Sequence, residues 1–240
     1  MSDVKEQIQK FHNRLINDEH HRYKSWEHCY KHFQNRGSAK NDQNITALHL
    51  AFYLASWGMY RGSSFLLQKD YLVHHGVVSE LFDPRYEPLW KLDLADKDND
   101  DQNICLIKEL ADKLKAIYKD TIKEVDGKAK PVNPTDTLIT KILLGTMGCS
   151  PACDRYFIDG YEDKGKNKGL KYTRFNKEFL AGVIGFYREH ETDFRDVQRD
   201  IEKQSNLQYP IMKLLDMYFW NIGFSAKPPK SRSVGGAEYL

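Results

Sequence analysis

The stretch ICLIKELADKLKAIYKDTI, from Ile104 to Ile122, decides the fold class of this chain. Its apolar residues recur every three or four positions, at Ile104, Ile107, Ala111, Leu114, Tyr118 and Ile122. That spacing places them on one face of an α-helix and leaves most of the charged residues on the other. The sequence therefore predicts a long amphipathic helix here.

Other segments repeat this periodicity in both directions along the chain. The first helices are indicated by apolar residues at Val4, Ile8, Phe11, Leu15, Tyr23, Trp26, Tyr30 and Phe33, and a following helix carries Ile45, Leu48, Phe52 and Ala55 on one face. Further helices are predicted over 65–81, after Asn133-Pro134, from Ser150-Pro151 to about Gly160, around Phe179–Phe186 and after Pro210. No alternating apolar run exceeds four residues, so strands are not expected. The prediction is an all-α globule of about eight helices.

Two polar segments suggest where the domain is bounded. Residues 126–131, DGKAKP, read as a linker, so any division into two helical lobes would fall near 126–133. Residues 225–240 are rich in Lys, Pro, Ser and Gly and predict a flexible basic tail. The sequence thus predicts a globular domain over 1–224.

Composition excludes several classes of protein. The chain is 40% hydrophobic and 12% aromatic, which supports a packed core, and its formal charge of +2 creates no strong overall field. The four cysteines form no CxxC pair, and no Walker loop, GxSxG elbow or dinucleotide fingerprint occurs. We expect no metal and no cofactor. Without an apolar leader or an apolar run of ~18 residues, the sequence predicts a cytoplasmic protein that does not enter a membrane.

The most informative block for function is TLITKILLGTMGCSPACDRYF, residues 137–157. An apolar helix, a glycine, Pro151-Ala152 and then Asp154 follow one another, an order that resembles part of the helix-hairpin-helix DNA glycosylases. The glycine-containing hairpin of that family has no counterpart at 128–136, KAKPVNPTD. Lys141 lies within the apolar helix and is not matched to the base-excising lysine of some members.

The resemblance implies a catalytic role for Asp154 and DNA as the partner. In that family such an aspartate assists the loss of a base from deoxyribose. The sugar gains positive charge as the base leaves, and a nearby carboxylate stabilises that charge or orients water. The alternative is that Asp154 only caps a helix or pairs with a neighbouring cation.

A substrate pocket is predicted at the segment WGMYRGSS, residues 57–64. Small residues lie beside Trp57, Tyr60 and Arg61, so a ring could stack and the arginine could meet an anion, with Ser63 and Ser64 alongside. A base flipped out of a duplex needs aromatic walls of this kind. The alternative is that the aromatic residues belong to the core and the serines cap a helix.

A local basic patch follows in the loop 164–174. Lys164, Lys166, Lys168, Lys171 and Arg174 alternate with glycines that would let the backbone approach phosphates. The alternative is an ordinary solvated loop.

Two further hypotheses compete with a nucleic-acid-acting glycosidase. Arg22 stands six residues before His28, a spacing that resembles the Arg and His of the HEPN ribonucleases, which cut RNA without a metal. The other hypothesis is a non-catalytic domain that binds nucleic acid or protein, with the aromatic clusters as core. The sequence does not indicate an oligomeric state.

Overall fold

The all-α fold predicted from the sequence is confirmed. The structure is a computed structural model that describes residues 3–125, 127–163, 165–167 and 169–226. Of these residues 68% are helical, and only a two-stranded hairpin adds strand. The chain forms a single globular domain. No helix of the described part is both long enough and apolar enough to cross a membrane.

Eleven α-helices follow one another along the described chain. They are α1 (Asp3–Asn17), α2 (Ser25–Gln34), α3 (Arg36–Asn41), α4 (Gln43–Ser56), α5 (His75–Leu81), α6 (Asp100–Thr121), α7 (Asp136–Thr146), α8 (Arg155–Tyr161), α9 (Lys177–Glu189), α10 (Glu191–Ser205) and α11 (Ile211–Ala226). Three 3-10 turns lie at Arg22–Lys24, Tyr71–His74 and Pro84–Lys91, and the hairpin pairs β1 (Glu124–Val125) with β2 (Lys128–Ala129).

The helix count exceeds eight because α3 and α10 form where the sequence analysis predicted no helix. Asn35 separates α2 from α3, and Asp42 separates α3 from α4 and caps α4 by accepting a hydrogen bond from Ile45 N. His190 likewise separates α9 from α10. Only Asp42 of these three caps a helix with its side chain, which competes for backbone N–H groups as Asp commonly does.

The prediction of one helix over 65–81 was wrong for its first half. Residues 65–68 form turns, and the side chain of Asp70 caps the 3-10 turn by accepting from Leu72 N at 2.8 Å. Only α5 is α-helical there. Apolar residues at 65–67 matched the helical pattern, but the local caps at Ser64 and Asp70 favour turns.

One hydrophobic core runs through the whole domain. It includes residues on both sides of 126–133, where the hairpin lies, so the core is continuous across the predicted lobe boundary. The predicted tail also begins later than expected, because Ser225 and Ala226 belong to α11. The rest of the predicted tail, 227–240, lies outside the described residues.

Helix α8 packs backbone to backbone against α11. A Cβ added at Gly160 would lie 1.8 Å from the carbonyl oxygen of Phe219, and one added at Gly223 would lie 2.0 Å from that of Tyr156. Only glycine permits so close an approach. This contact fixes the position of α8, whose first residues carry the candidate site.

Helix α4 buries the face opposite to its most regular apolar stripe. Thr46, Ala47, Leu50, Ala51, Tyr53 and Leu54 face the core. Ile45, Leu48, Phe52 and Ala55, which the sequence places on one face, are exposed. The helix is therefore apolar on both sides.

Candidate active site

The segment that connects α7 to α8 is buried and tied to α7. It leaves α7 through Gly148, which adopts φ +66°, a left-handed conformation that favours glycine. Thr137 Oγ1 donates to the carbonyl of Cys153 at 2.8 Å, and Cys153 N donates to Thr140 Oγ1 at 2.9 Å. The helix predicted from Ser150 to about Gly160 is α8, but it begins later than predicted, at Arg155, and ends at Tyr161. The chain therefore reaches Asp154 as an extended segment that lies beside α7.

Asp154 caps α8 with one carboxylate oxygen and accepts a lysine with the other. Oδ1 accepts from Phe157 N at 3.1 Å, and Oδ2 accepts from Lys141 Nζ at 2.9 Å. The side chain of Asp154 is 19% exposed, whereas that of Lys141 is 2% exposed. The carboxylate thus faces solvent on one side, with the positive end of a helix and a buried ammonium behind it.

Lys141 joins Asp154 to Trp57. Its Nζ lies 4.8 Å from the centre of the Trp57 ring, within the range of a cation–π contact. Trp57 is half-buried at the end of α4. Sequence reasoning found Asp154 and Trp57 but did not place Lys141, although a lone lysine in the apolar run of α7 was a visible signal.

A second buried ion pair lies behind the same tryptophan. Lys213 Nζ donates to Asp216 Oδ2 at 2.9 Å, and Asp216 Oδ1 accepts from Ala152 N at 3.1 Å. Burial lowers the pKa of Lys213, against the opposing effect of Asp216. The Lys213 ammonium lies 5.1 Å from the centre of the Trp57 ring. The pair holds the segment that leads to Asp154 and was not predicted from the sequence.

Aromatic rings and arginines extend from this point. Tyr23 stacks on Trp57, with ring centroids 4.4 Å apart. The guanidinium of Arg22 lies over Tyr23 at 5.2 Å, and that of Arg155 lies over Tyr156 at 4.7 Å. Both arginines are exposed. The surroundings of Asp154 therefore combine flat apolar rings with positive charge.

The predicted pocket residues divide into three groups. Trp57 belongs to the Asp154 site. Arg61, Ser63 and Ser64 line a separate cavity of 560 Å³, whose other wall is the start of α7, including Thr137. Because Thr137 bonds to Cys153, this cavity lies close to the segment before Asp154.

Tyr60 does not line that cavity. Its hydroxyl is hydrogen-bonded to His74 Nε2 at 2.6 Å, and His74 Nδ1 is bonded to the hydroxyl of Tyr118 at 2.6 Å. His74 and Tyr118 are fully buried. Tyr60 is thus part of a structural network in which both ring nitrogens of the buried His74 have hydrogen-bond partners.

The basic loop is only partly available to a ligand. Lys166 is paired with Asp3 at 2.6 Å, whereas Lys171 and Arg174 are exposed and have no ionic partner in the described structure. Lys164 and Lys168 lie outside the described residues. Asp136, in the first turn of α7, accepts hydrogen bonds from the hydroxyl of Tyr172 and from Phe175 N, so this end of the loop is held beside α7.

The HEPN-like residues are not brought together by any contact in the described structure. Arg22 lies over Tyr23, while His28 is exposed on α2. In the described ranges, no group of three or more His, Cys, Asp or Glu is arranged to hold a metal ion.

Comparisons with known proteins give no family for this chain. No family model, no curated protein and no solved structure matches it.

Proposed function

We propose that this chain acts on nucleic acid and hydrolyses an N-glycosidic bond, with Asp154 as the catalytic carboxylate. The observation that carries the proposal is the geometry of Asp154, a partly exposed carboxylate anchored from behind by Lys141 and Phe157 N beside the half-buried ring of Trp57. The resemblance of residues 137–157 to the helix-hairpin-helix DNA glycosylases implies the same role.

The reaction requires a fixed negative charge beside the sugar. The C1′–N bond breaks, its electrons leave with the base, and the sugar becomes positively charged. Water then adds to C1′, one of its protons is lost, and the departing base gains a proton. Asp154 would stabilise the charge on the sugar, and because two donors already fix its orientation, little reorganisation is needed during the reaction.

The surroundings of Asp154 suit a nucleic-acid substrate. An extruded base needs flat apolar side chains beside it, and the half-buried ring of Trp57, which stacks on Tyr23, lies beside the lysine that holds the carboxylate. The strand needs positive charge, which Arg22 and Arg155 supply at the surface. DNA is the favoured substrate because the resemblance implies it.

The test is release of bases by Asp154→Asn. Duplex and single-stranded DNA carrying uracil, alkylated or oxidised bases are incubated with each variant, and abasic sites are detected by alkaline cleavage. We expect the unmodified chain to release at least one of these bases and Asp154→Asn to slow release by about 100-fold or more.

The matched control is Asp100→Asn. Asp100 also lies in the first turn of a helix and pairs with a cation, since Arg188 Nη2 donates to it at 2.8 Å, but it is not part of the site. Its rate should match that of the unmodified chain. Equal rates for Asp154→Asn and Asp100→Asn would refute the proposal, as would release of none of these bases.

A further inference from the structure

The exposed face of α4 has the pattern of a helix-pairing seam. Ile45, Leu48, Phe52 and Ala55 follow one another at intervals of three, four and three residues, which is the spacing of the core positions of paired helices. Ile45 is 44% exposed, Leu48 is 48% exposed and Phe52 is 60% exposed. These are three of the six most exposed large apolar side chains of the described structure, so the seam concentrates apolar surface on one helix.

The seam is complementary to itself in the antiparallel direction. If two copies of α4 pair about a two-fold axis between Leu48 and Phe52, Leu48 of each copy faces Phe52 of the other. Ile45 then faces Ala55, a larger side chain against a smaller one. Every position of the seam therefore meets an apolar side chain of the other copy, with two large residues in each central layer and a large residue against a small one in each outer layer.

The charge of α4 also suits a second copy. The helix QNITALHLAFYLAS carries no Asp, Glu, Lys or Arg over its whole length, in a chain of which 29% of residues are charged. In a two-fold contact, a charged residue near the axis would lie against the same residue of the other copy, and the two like charges would repel each other. Helix α4 has no such residue. A partner of opposite charge would find no charge to recognise on this face.

We propose that two copies of this chain associate through an antiparallel, two-fold contact between their α4 helices. Leu72, which is 50% exposed, lies on the 3-10 turn that packs against α4. A helix of this length spans about 21 Å. So short an interface is at the small end of specific interfaces, and we expect a dissociation constant of roughly 1–100 µM. The inference does not depend on the proposed catalytic function.

The first test is sedimentation equilibrium of the full chain from roughly 1 to 500 µM, a range that brackets the expected dissociation constant. We expect a reversible monomer–dimer equilibrium. Phe52→Glu should raise the dissociation constant by tenfold or more, because each copy would bury a carboxylate against Leu48. Ile16→Glu is the matched control, since Ile16 is 50% exposed on α1, away from the seam, and should leave the constant unchanged.

The second test fixes the register. Leu48→Lys and Phe52→Glu should each weaken self-association. Mixed in equal amounts, the two variants should form a heterodimer in which the introduced lysine of one copy meets the introduced glutamate of the other. At the second, symmetry-related position of that heterodimer, the unchanged Phe52 and Leu48 still meet.

Three results would overturn the proposal. The first is a chain that stays monomeric throughout the concentration range. The second is weakening by Ile16→Glu equal to that by Phe52→Glu. The third is failure of the mixture of Leu48→Lys and Phe52→Glu to associate better than either variant alone.

Discussion

Lys141 is buried and Asp154 is partly exposed. Because of this difference, the contribution of Asp154 to stability can be measured separately from its proposed contribution to catalysis. Removing the charge of Asp154 leaves the ammonium of Lys141 in the interior without its ionic partner. Breaking a buried pair in this way costs about 3–5 kcal/mol. We expect Asp154→Asn to lower the free energy of unfolding by about 3 kcal/mol, which urea unfolding would measure.

Lys141→Met in the Asp154→Asn background supplies the complementary test. Methionine keeps an unbranched apolar chain beneath Trp57 and removes the unpaired charge, so most of the lost stability should return. Base release should not return, because the carboxylate is still absent. Recovery of activity together with stability would mean that Asp154 acts only through the fold.

The His74 network predicts a loss of stability in mild acid. Burial lowers the pKa of His74 to about 3, whereas in the unfolded chain a histidine titrates near about 6.5. Above that value neither state is protonated. As the pH falls from 6.5 towards 3, the unfolded state takes up a proton that the folded state refuses, so stability is lost at up to about 1.4 kcal/mol per pH unit.

His74→Gln isolates this contribution. The variant should be less stable than the unmodified chain at pH 7.5, because the bonds to Tyr60 and Tyr118 are disturbed. The difference should shrink as the pH falls, since glutamine binds no proton. Urea unfolding at pH 7.5, 6 and 5 gives the comparison, and the other histidines cancel in it. A difference that stays constant with pH would contradict the assignment.

At the scale of elements, periodicity predicted most of the long helices, but α10, whose apolar residues Phe194, Val197 and Ile201 also recur at helical spacing, was not predicted. The apolar spacing of Ile104–Ile122 corresponds to α6, and the pattern after Pro210 corresponds to α11. The boundary between α3 and α4 could not be predicted from apolar spacing, because Asp42 caps α4 through a local hydrogen bond that leaves the spacing undisturbed. The helix prediction over 65–70 was wrong for the same reason. Ser64 and Asp70 cap turns there, although the three apolar residues at 65–67 fit a helical pattern.

The backbone contact between α8 and α11 predicts a large effect of one methyl group. An alanine at Gly160 would place its Cβ 1.8 Å from the carbonyl oxygen of Phe219, so the helices must separate. We expect Gly160→Ala to reduce the free energy of unfolding by at least about 2 kcal/mol. Thermal unfolding followed by circular dichroism would measure it.

Gly185→Ala serves as the control for that substitution. Gly185 lies within α9, and among the described residues no atom outside the neighbouring backbone of its own helix lies within 4 Å of the position that a Cβ would take. Alanine is the better helix former, so stability should rise by about 0.5–1 kcal/mol. Equal effects at Gly160 and Gly185 would show that the close approach of α8 and α11 does not limit packing.

For the molecule as a whole, sequence reasoning found Asp154 and Trp57 of the candidate site but not the two lysines that contact the tryptophan. Asp154 stands out because a Pro turn and a helix start surround it. Lys141 and Lys213 lie in apolar helices, where each is a charged exception to the apolar pattern. No feature of the sequence around either lysine shows that both side chains approach Trp57. Contacts between α4, α7 and α11 join residues far apart in the chain, and periodicity within one helix carries no information about them.

The dependence of DNA binding on salt tests whether the exposed cations serve the proposed function. Lys171 and Arg174 have no ionic partner in the part of the chain that the structure describes, so binding to phosphates would release condensed counterions. Replacing both by Gln should weaken binding equally for all duplex sequences. The slope of log K against log salt should become shallower by about 0.9 for each phosphate that is no longer neutralised.

The double variant Lys203→Gln, Arg199→Gln controls for net charge. It also removes two positive charges, but from α10, where both side chains are exposed and pair with aspartates, away from the Asp154 site. A long-range effect of charge would weaken binding equally in both double variants, but direct binding of phosphate would change the slope only for Lys171 and Arg174. Fluorescence anisotropy with a labelled duplex between ~50 and 200 mM salt covers the range in which such ion pairs change affinity most. An unchanged slope in both variants would show that this loop is ordinary solvated surface, and a nucleic-acid substrate would then have to be held by Arg22 and Arg155.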